Sequence, residues 1–212
     1  MKKLLLFLVL TLAAPLAFAD IGVGAGAGTL GFNVSGIYHF SDFVSLGVGV
    51  NRYSYSRSSD YKGVNYNASL KFSSEVLLVN LYPFAGSFRF TGGWMHNGNS
   101  LSMAGVPDQN GNYTFNGNTY SAQQVGTVTA GMGFNSNATY LGIGWGGNDA
   151  WGMTFDLGVV NQGTPTFNLN ASGAAGNPQL ANDVNQQRTT VQSDVNSFTW
   201  YPQIAVGLYF HF

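Results

Sequence analysis

Over its last fifteen residues the chain alternates without a break. Phe198, Trp200, Pro202, Ile204, Val206, Leu208, Phe210 and Phe212 hold the even positions; Thr199, Tyr201, Gln203, Ala205, Gly207, Tyr209 and His211 hold the odd ones. Successive side chains of a β-strand point to opposite faces, so this period of two describes one strand with an apolar face and a mixed face. Strands of soluble domains run about 5 to 6 residues, whereas a tilted strand that crosses a bilayer needs about 9 to 11. Fifteen alternating residues therefore point to a strand that spans.

The pattern recurs upstream. Leu30, Phe32, Val34 and Tyr38 oppose Asn33, Ser35 and His39, and Val44, Leu46, Val48 and Val50 oppose Ser45, Gly47, Gly49 and Asn51. Val64, Tyr66, Ala68, Leu70 and Phe72 oppose Asn65, Asn67, Ser69, Lys71 and Ser73, and Phe88, Phe90 and Trp94 oppose Arg89, Thr91 and Gly93. Val128 to Phe134 leads into Tyr140 to Trp145, and Trp151 to Val159 alternates again. Short turns at Ser41-Asp42, Tyr82 to Gly86 and Gly146 to Asp149 take turns with long polar connections at Arg57 to Gly63, Asn97 to Gln124 and Gln162 to Asn196. Tight turns at one end and long loops at the other are the asymmetry of outer-membrane barrels, and inside lipid every strand edge has to be paired, so the sheet must close.

Seven strands are plain, and a barrel with both termini at one end needs an even number. The eighth is expected at Ile21 to Ala27, where the apolar phase occupies odd positions before flipping at Gly28-Thr29 through a turn or a bulge. A second flip at Asn135 to Asn137 leaves ten strands as the alternative to eight. Pro202 sits awkwardly inside its strand, because proline removes a ladder hydrogen bond.

Composition agrees with burial in lipid rather than in a soluble core. Only 8% of the 212 residues are charged, while 16 Phe, 11 Tyr and 4 Trp supply aromatic surface and 29 glycines allow close packing. Soluble domains carry about 25% charge, and disordered segments lack aromatics. The formal net charge of −1 provides no basic field for nucleic acid. With no cysteine, disulfides, thiolate nucleophiles and Cys-type metal sites are excluded. Lys2-Lys3, six leucines between Leu4 and Leu12, and Ala17-Phe18-Ala19 form an export signal over residues 1–19 with cleavage before Asp20. The expected organisation is thus a signal peptide followed by a barrel over residues 20–212.

Val206-Gly207-Leu208-Tyr209-Phe210-His211-Phe212 is similar to the terminal-phenylalanine signal of outer-membrane barrels, and Tyr140 to Trp145 and Trp200-Tyr201-Pro202 are similar to segments of poorly characterised barrels of this size. The chain resembles small Gram-negative outer-membrane β-barrel proteins, in the size class of the OmpA membrane domain, OmpX and OmpW. The resemblance implies an all-β, transmembrane, antiparallel up-and-down barrel in the cell outer membrane. It also implies outer-membrane lipid and lipopolysaccharide as surroundings, and recognition by the barrel-assembly machinery through Ile204, Val206, Leu208, Phe210 and Phe212. The OmpW signature is missing, so a side-exit channel does not carry over.

Taking the polar faces as inward places His39, Lys71, Glu75, Arg89, Asp156 and His211 in the lumen. An eight-stranded barrel is only just wide enough for side chains, so paired charges there are expected to seal it; a narrow gated pathway for small solutes is the alternative. His39 and Ser41 share a strand face and could share a hydrogen bond, as a lipid-modifying barrel enzyme would need. Parity turns them to the lumen, and no catalytic role is expected. Gly26 to Gly31 matches G-x-G-x-x-G but lacks the following helix that gives this fingerprint its mechanism. The three histidines have no metal-ligand spacing, and no metal or cofactor is implied. Aromatics near the strand ends, such as Trp94, Trp145, Trp151, Trp200 and Tyr201, read as interfacial girdles. Asn97 to Gln124 reads as a solvated loop, with a saccharide- or partner-binding surface as the alternative. Leu180, Val184, Val191, Val195 and Phe198 predict a short amphipathic helix over Gln179 to Ser197, capping the barrel mouth. The functional expectation is a structural or surface-interaction role through external loops.

Overall fold

The computed structural model describes residues 20–61 and 64–212; the expected export signal lies outside them. Its strands, in chain order, are β1 (Asp20–Gly28), β2 (Gly31–Ser41), β3 (Val44–Tyr61), β4 (Val64–Leu81), β5 (Phe88–Asn97), β6 (Ser100–Val106), β7 (Asn112–Phe115), β8 (Asn118–Ser121), β9 (Val128–Gly133), β10 (Asn137–Trp145), β11 (Trp151–Asn161), β12 (Thr166–Ala171) and β13 (Trp200–His211). Two helices join them: α1 (Ala122–Val125) and α2 (Pro178–Val195).

Eight of the strands, β1 to β5, β10, β11 and β13, pair antiparallel in sequence and close where β1 meets β13, from Gly22 opposite His211 to Gly28 opposite Ala205. The hidden strand is therefore β1, and the phase flip at Gly28-Thr29 is a tight turn into β2. The second flip, at Asn135 to Asn137, falls at the connection between β9 and β10, and β9 leaves the barrel altogether.

Pro202 costs less than the sequence suggests. Ile204 N–H donates to Thr29 Oγ1 at 3.2 Å, so residues of this parity turn their backbone toward β1. β1 ends at Gly28, and at Pro202 the group reaching from that side is Thr29 Oγ1, which donates to the proline carbonyl at 3.1 Å. The imide nitrogen thus faces a gap past the end of the neighbouring strand, one of the places where proline is tolerated.

β3 and β4 each run 18 residues, twice what the barrel needs. The lower part of β4, Ser74 to Leu81, pairs with β5, while Asn65 to Lys71 pairs with β6. From there β6 pairs with β9 and β9 with β12, giving a five-stranded sheet that rises from one side of the barrel. This sheet has two distinct faces. One row reads Tyr55, Leu70, Leu101, Met132 and Phe167; the adjacent row on the other face reads Ser56, Ser69, Ser102, Gly131 and Asn168. The apolar face is covered at its far end by the β7–β8 hairpin, α1, a 3₁₀ turn at Ser172–Gly176, and α2. Tyr113, Phe115, Tyr120, Val125, Leu180 and Val184 bury there against Val128 and Ala171.

The segment expected as a solvated loop, Asn97 to Gln124, is thus part of a lobe with its own core. The predicted helix is present as Pro178–Val195, with Asn177 capping Leu180 N–H at 3.1 Å and Pro178 in the first turn. Leu180, Val184 and Val195 are buried, whereas Phe198 is exposed beyond its end. The helix packs on β12 and β7 of the lobe rather than on a barrel strand.

Candidate functional site

The barrel interior is built in tiers. At the end with the short turns, the inward residues of β2, β5, β11 and β13 bring His39, Arg89, Asp156 and His211 together with Tyr82 and Tyr209. His39 and His211 meet edge to face with ring centroids 4.9 Å apart, and Tyr82 lies 5.7 Å from His39. His211 Nδ1 is 2.7 Å from the Asp149 carbonyl oxygen, which can only accept and therefore fixes the proton on Nδ1.

Arg89 and Asp156 sit on strands that are not adjacent. β10 runs between them, and on the shared rung it presents Gly144. A Cβ there would lie 2.5 Å from Asp156 Oδ1 and 2.8 Å from Arg89 Cζ, so only glycine lets the ion pair pass over β10. Arg89 Nη2 donates to Asp156 Oδ1 at 2.6 Å and Nη1 donates to the Gly146 carbonyl in the turn. Arg89 is buried and Asp156 half-buried, making this a charge-assisted contact with little solvent screening. Above it, Thr91 Oγ1 donates to Asn80 Oδ1 at 2.8 Å and Asn80 Nδ2 to Ser45 Oγ at 3.0 Å, a polar ladder across three strands.

Toward the lobe end the lumen turns apolar. Leu30, from the β1–β2 turn, packs inside with Met95, Ala138, Tyr140 and Val160. The Tyr140 ring lies against Gly158, where a Cβ would approach it to 2.3 Å; the slot for the ring is made by leaving that side chain out. Between plug and polar floor lies a cavity of about 120 Å³, bounded by Arg89, Asp156, Asn80, Asn51, Met95 and Tyr140, room for several waters.

Lys71 and Glu75 are not in this interior. Both belong to the outward face of β4, both are exposed, and Glu75 lies 3.4 Å from the outward Arg52. Parity runs unbroken through β4 with even residues inward, Ser74, Val76, Leu78 and Asn80 below and Leu70 and Phe72 above. The polar row around Lys71 faces out because this half of the strand has left the apolar band. Tyr201 is also turned inward, its hydroxyl donating to the Thr29 carbonyl at 2.8 Å.

Ile204, Val206, Leu208, Phe210 and Phe212 all point outward and are exposed, continuing an apolar belt that includes Val34, Val48, Leu77, Phe90, Leu141 and Met153. The Phe212 N–H donates to the Ile21 carbonyl at 2.9 Å and holds the terminal ring in this belt. Ser41 Oγ accepts from the Phe43 N–H at 3.2 Å in the β2–β3 turn, a turn-stabilising contact.

The lobe carries a second polar cluster that no pattern in the sequence signals. Asp183 on α2 accepts from Tyr120 and from Asn118 at 2.8 Å and Asn116 at 3.3 Å, so the hairpin is clasped to the helix by one carboxylate. These donors hold the Asp183 carboxyl below the usual carboxylate range, and the same contact pushes the Tyr120 hydroxyl up to about 12. A depressed acid stabilises the fold above its unfolded value and loses that contribution as pH falls through the folded one. Protease sensitivity of the lobe is therefore expected to rise once pH drops below about 4. Asp183→Asn should show no such acid transition; an unchanged transition in that variant would rule out the clasp as its cause.

No protein-family model and no curated protein matches the chain. Among solved structures it is similar to Acinetobacter baumannii CarO2, at 20% identity and a TM-score of 0.60, over 91% of this chain and 98% of that one. It is also similar to Acinetobacter baumannii CarO, at 24% identity and a TM-score of 0.59 over the same shares. A major outer membrane protein from Thermus thermophilus aligns over 92% of this chain and 100% of that one, at 16% identity and a TM-score of 0.46. The likeness to the first two is one of fold: this chain has the fold of the small outer-membrane β-barrel proteins, eight antiparallel strands closed into a barrel.

Proposed function

We propose that the protein resides in the outer membrane as a non-conducting barrel whose role is surface interaction through its external lobe. The observation that carries this reading is the obstructed lumen: the Leu30, Met95 and Tyr140 plug lies on one side of the cavity and the Arg89 to Asp156 pair with the histidine floor on the other. The chain meanwhile commits β6 to β9, β12 and α2 to a lobe with its own core. In this setting the short turns face the periplasm and the lobe faces outside.

The test is conductance of the refolded chain from Asp20 to Phe212 in a planar lipid bilayer. A silent, folded barrel is the expected result. Reproducible single-channel steps that shift with Arg89→Ala would replace this reading by a narrow solute pathway.

The outward terminal row is, in the same reading, the segment that the assembly machinery recognises. Deletion of Phe212 is expected to lower the amount of heat-modifiable, folded barrel in outer-membrane fractions several-fold. Wild-type levels in that deletion would remove the terminal ring from the recognition step.

A further inference from the structure

The outward face of β3 and β4 changes chemistry in a fixed order with height. On β3 it reads Val48 and Val50, then Arg52, then Ser54, Ser56 and Ser58. On β4, followed in the same direction, it reads Val79 and Leu77, then Glu75 and Lys71, then Ser69 and Asn67. The register places Arg52 opposite Ser73 and Ser54 opposite Lys71, so the two cations are diagonal neighbours on one face, about 7 to 8 Å apart at the backbone.

The Arg52 side chain is fixed rather than loose: Nη1 donates to the Asn51 and Ser74 carbonyls, each at 2.9 Å, and Nη2 lies 3.4 Å from Glu75. Above the cations the polar row continues sideways across the lobe sheet, through Ser102 and Gly131 to Asn168, as an exposed face. Two of its cross-strand pairs are prebonded, Ser56 to Ser69 at 3.0 Å and Ser58 to Asn67 at 2.6 Å.

An apolar belt, then a charged layer of Arg52, its partner Glu75 and Lys71, then a hydroxyl and amide surface follows the order in which a phosphorylated glycolipid presents acyl chains, phosphate and sugar. Because this face is continuous with the lipid-facing wall, such a molecule standing beside β3 and β4 meets all three layers at once. We propose that the outward face of β3, β4 and the lobe sheet binds a phosphorylated glycolipid of the surrounding outer leaflet, with Arg52 and Lys71 on its phosphate and the serine and asparagine rows against its sugars. The inference rests on the outer-membrane placement proposed above.

The experiment uses the full-length protein expressed in a Gram-negative host, extracted in mild detergent from outer-membrane fractions. Co-purified lipopolysaccharide is quantified, and the delipidated barrel is then titrated with purified rough lipopolysaccharide, its dephosphorylated form, and phosphatidylglycerol. Selective retention of the phosphorylated glycolipid is expected, falling at least tenfold in Arg52→Gln/Lys71→Gln and severalfold in Ser56→Leu/Ser69→Leu. Both pairs are exposed, and unchanged heat-modifiability checks that each variant has folded. Equal retention of phosphatidylglycerol would reduce the site to general anion attraction and overturn the proposal, as would equal retention by the charge-neutralised variant. A barrel found in the outer membrane without selective glycolipid overturns this inference alone. A chain recovered from another compartment overturns the placement, and this proposal with it.

Discussion

Asp156→Leu is expected to destabilise the barrel by about 3 to 5 kcal/mol, because it leaves the buried Arg89 guanidinium with only the Gly146 carbonyl for company. The double variant Arg89→Met/Asp156→Leu should recover most of that loss, since removing both charges also removes the desolvation that each one suffers. Urea unfolding of the refolded barrel in lipid vesicles, read as a double-mutant cycle, measures the coupling directly. A single variant within about 1 kcal/mol of wild type would mean that water reaches Arg89. That outcome would weaken the closed-lumen reading along with it.

The second large effect is expected at Tyr140. Its ring fills the lumen between Leu30, Met95 and Val160 and has no room to collapse around, because the barrel wall is held by its ladders. Tyr140→Ala should cost about 3 to 5 kcal/mol, the range for deleting a large buried ring. Tyr140→Phe, by contrast, should leave stability unchanged or slightly raised, since the hydroxyl has no hydrogen-bond partner among the described residues. Gly158→Ala provides the reciprocal test: the added methyl would enter the ring's slot and should destabilise although it deletes nothing. If Tyr140→Ala proved as stable as Tyr140→Phe, the plug would not be a packed core.

The barrel strands were legible because lipid outside and a crowded interior impose opposite chemistry on alternate residues, and β13 shows that alternation for its whole length. The same rule misplaced Lys71 and Glu75. Alternation identifies two faces; which one is inward depends on the medium outside, and on β4 the outward row changes from apolar to polar partway along. Below Ser74 the outward row is apolar, with Leu77 and Val79, and above it the outward row is polar, with Lys71 and Ser69, while the backbone phase never changes. Arg89 and Asp156, by contrast, lie within the apolar belt, where a charge on a strand has nowhere to go but inward.

The lobe was missed for a different reason. Tyr113-x-Phe115, then Asn116-Gly117, then Tyr120 carries a hairpin signal, and Asn116 and Gly117 both adopt the positive φ that a tight hairpin turn requires. Set among polar and glycine residues, the flanking strands of four residues each are too short to stand out by periodicity. The Asp183 clasp was out of reach of any local pattern, since its donors lie more than 60 residues away.

β3 and β4 pass from the barrel into the lobe without a break in register, paired with each other from Val44 opposite Leu81 to Tyr61 opposite Val64. At about 3.4 Å per residue this ladder is roughly 60 Å long, and an apolar belt about 25 Å tall, crossed at the usual tilt, accounts for only about 30 to 35 Å of it. The lobe thus has no swivel. A pull on it along the hairpin draws β3 and β4 together and loads the β2–β3 and β4–β5 hydrogen bonds in shear at the same instant rather than peeling them one by one. Force on the lobe is then delivered to the barrel staves themselves, and the junction gives way only when a large share of those two ladders fails together.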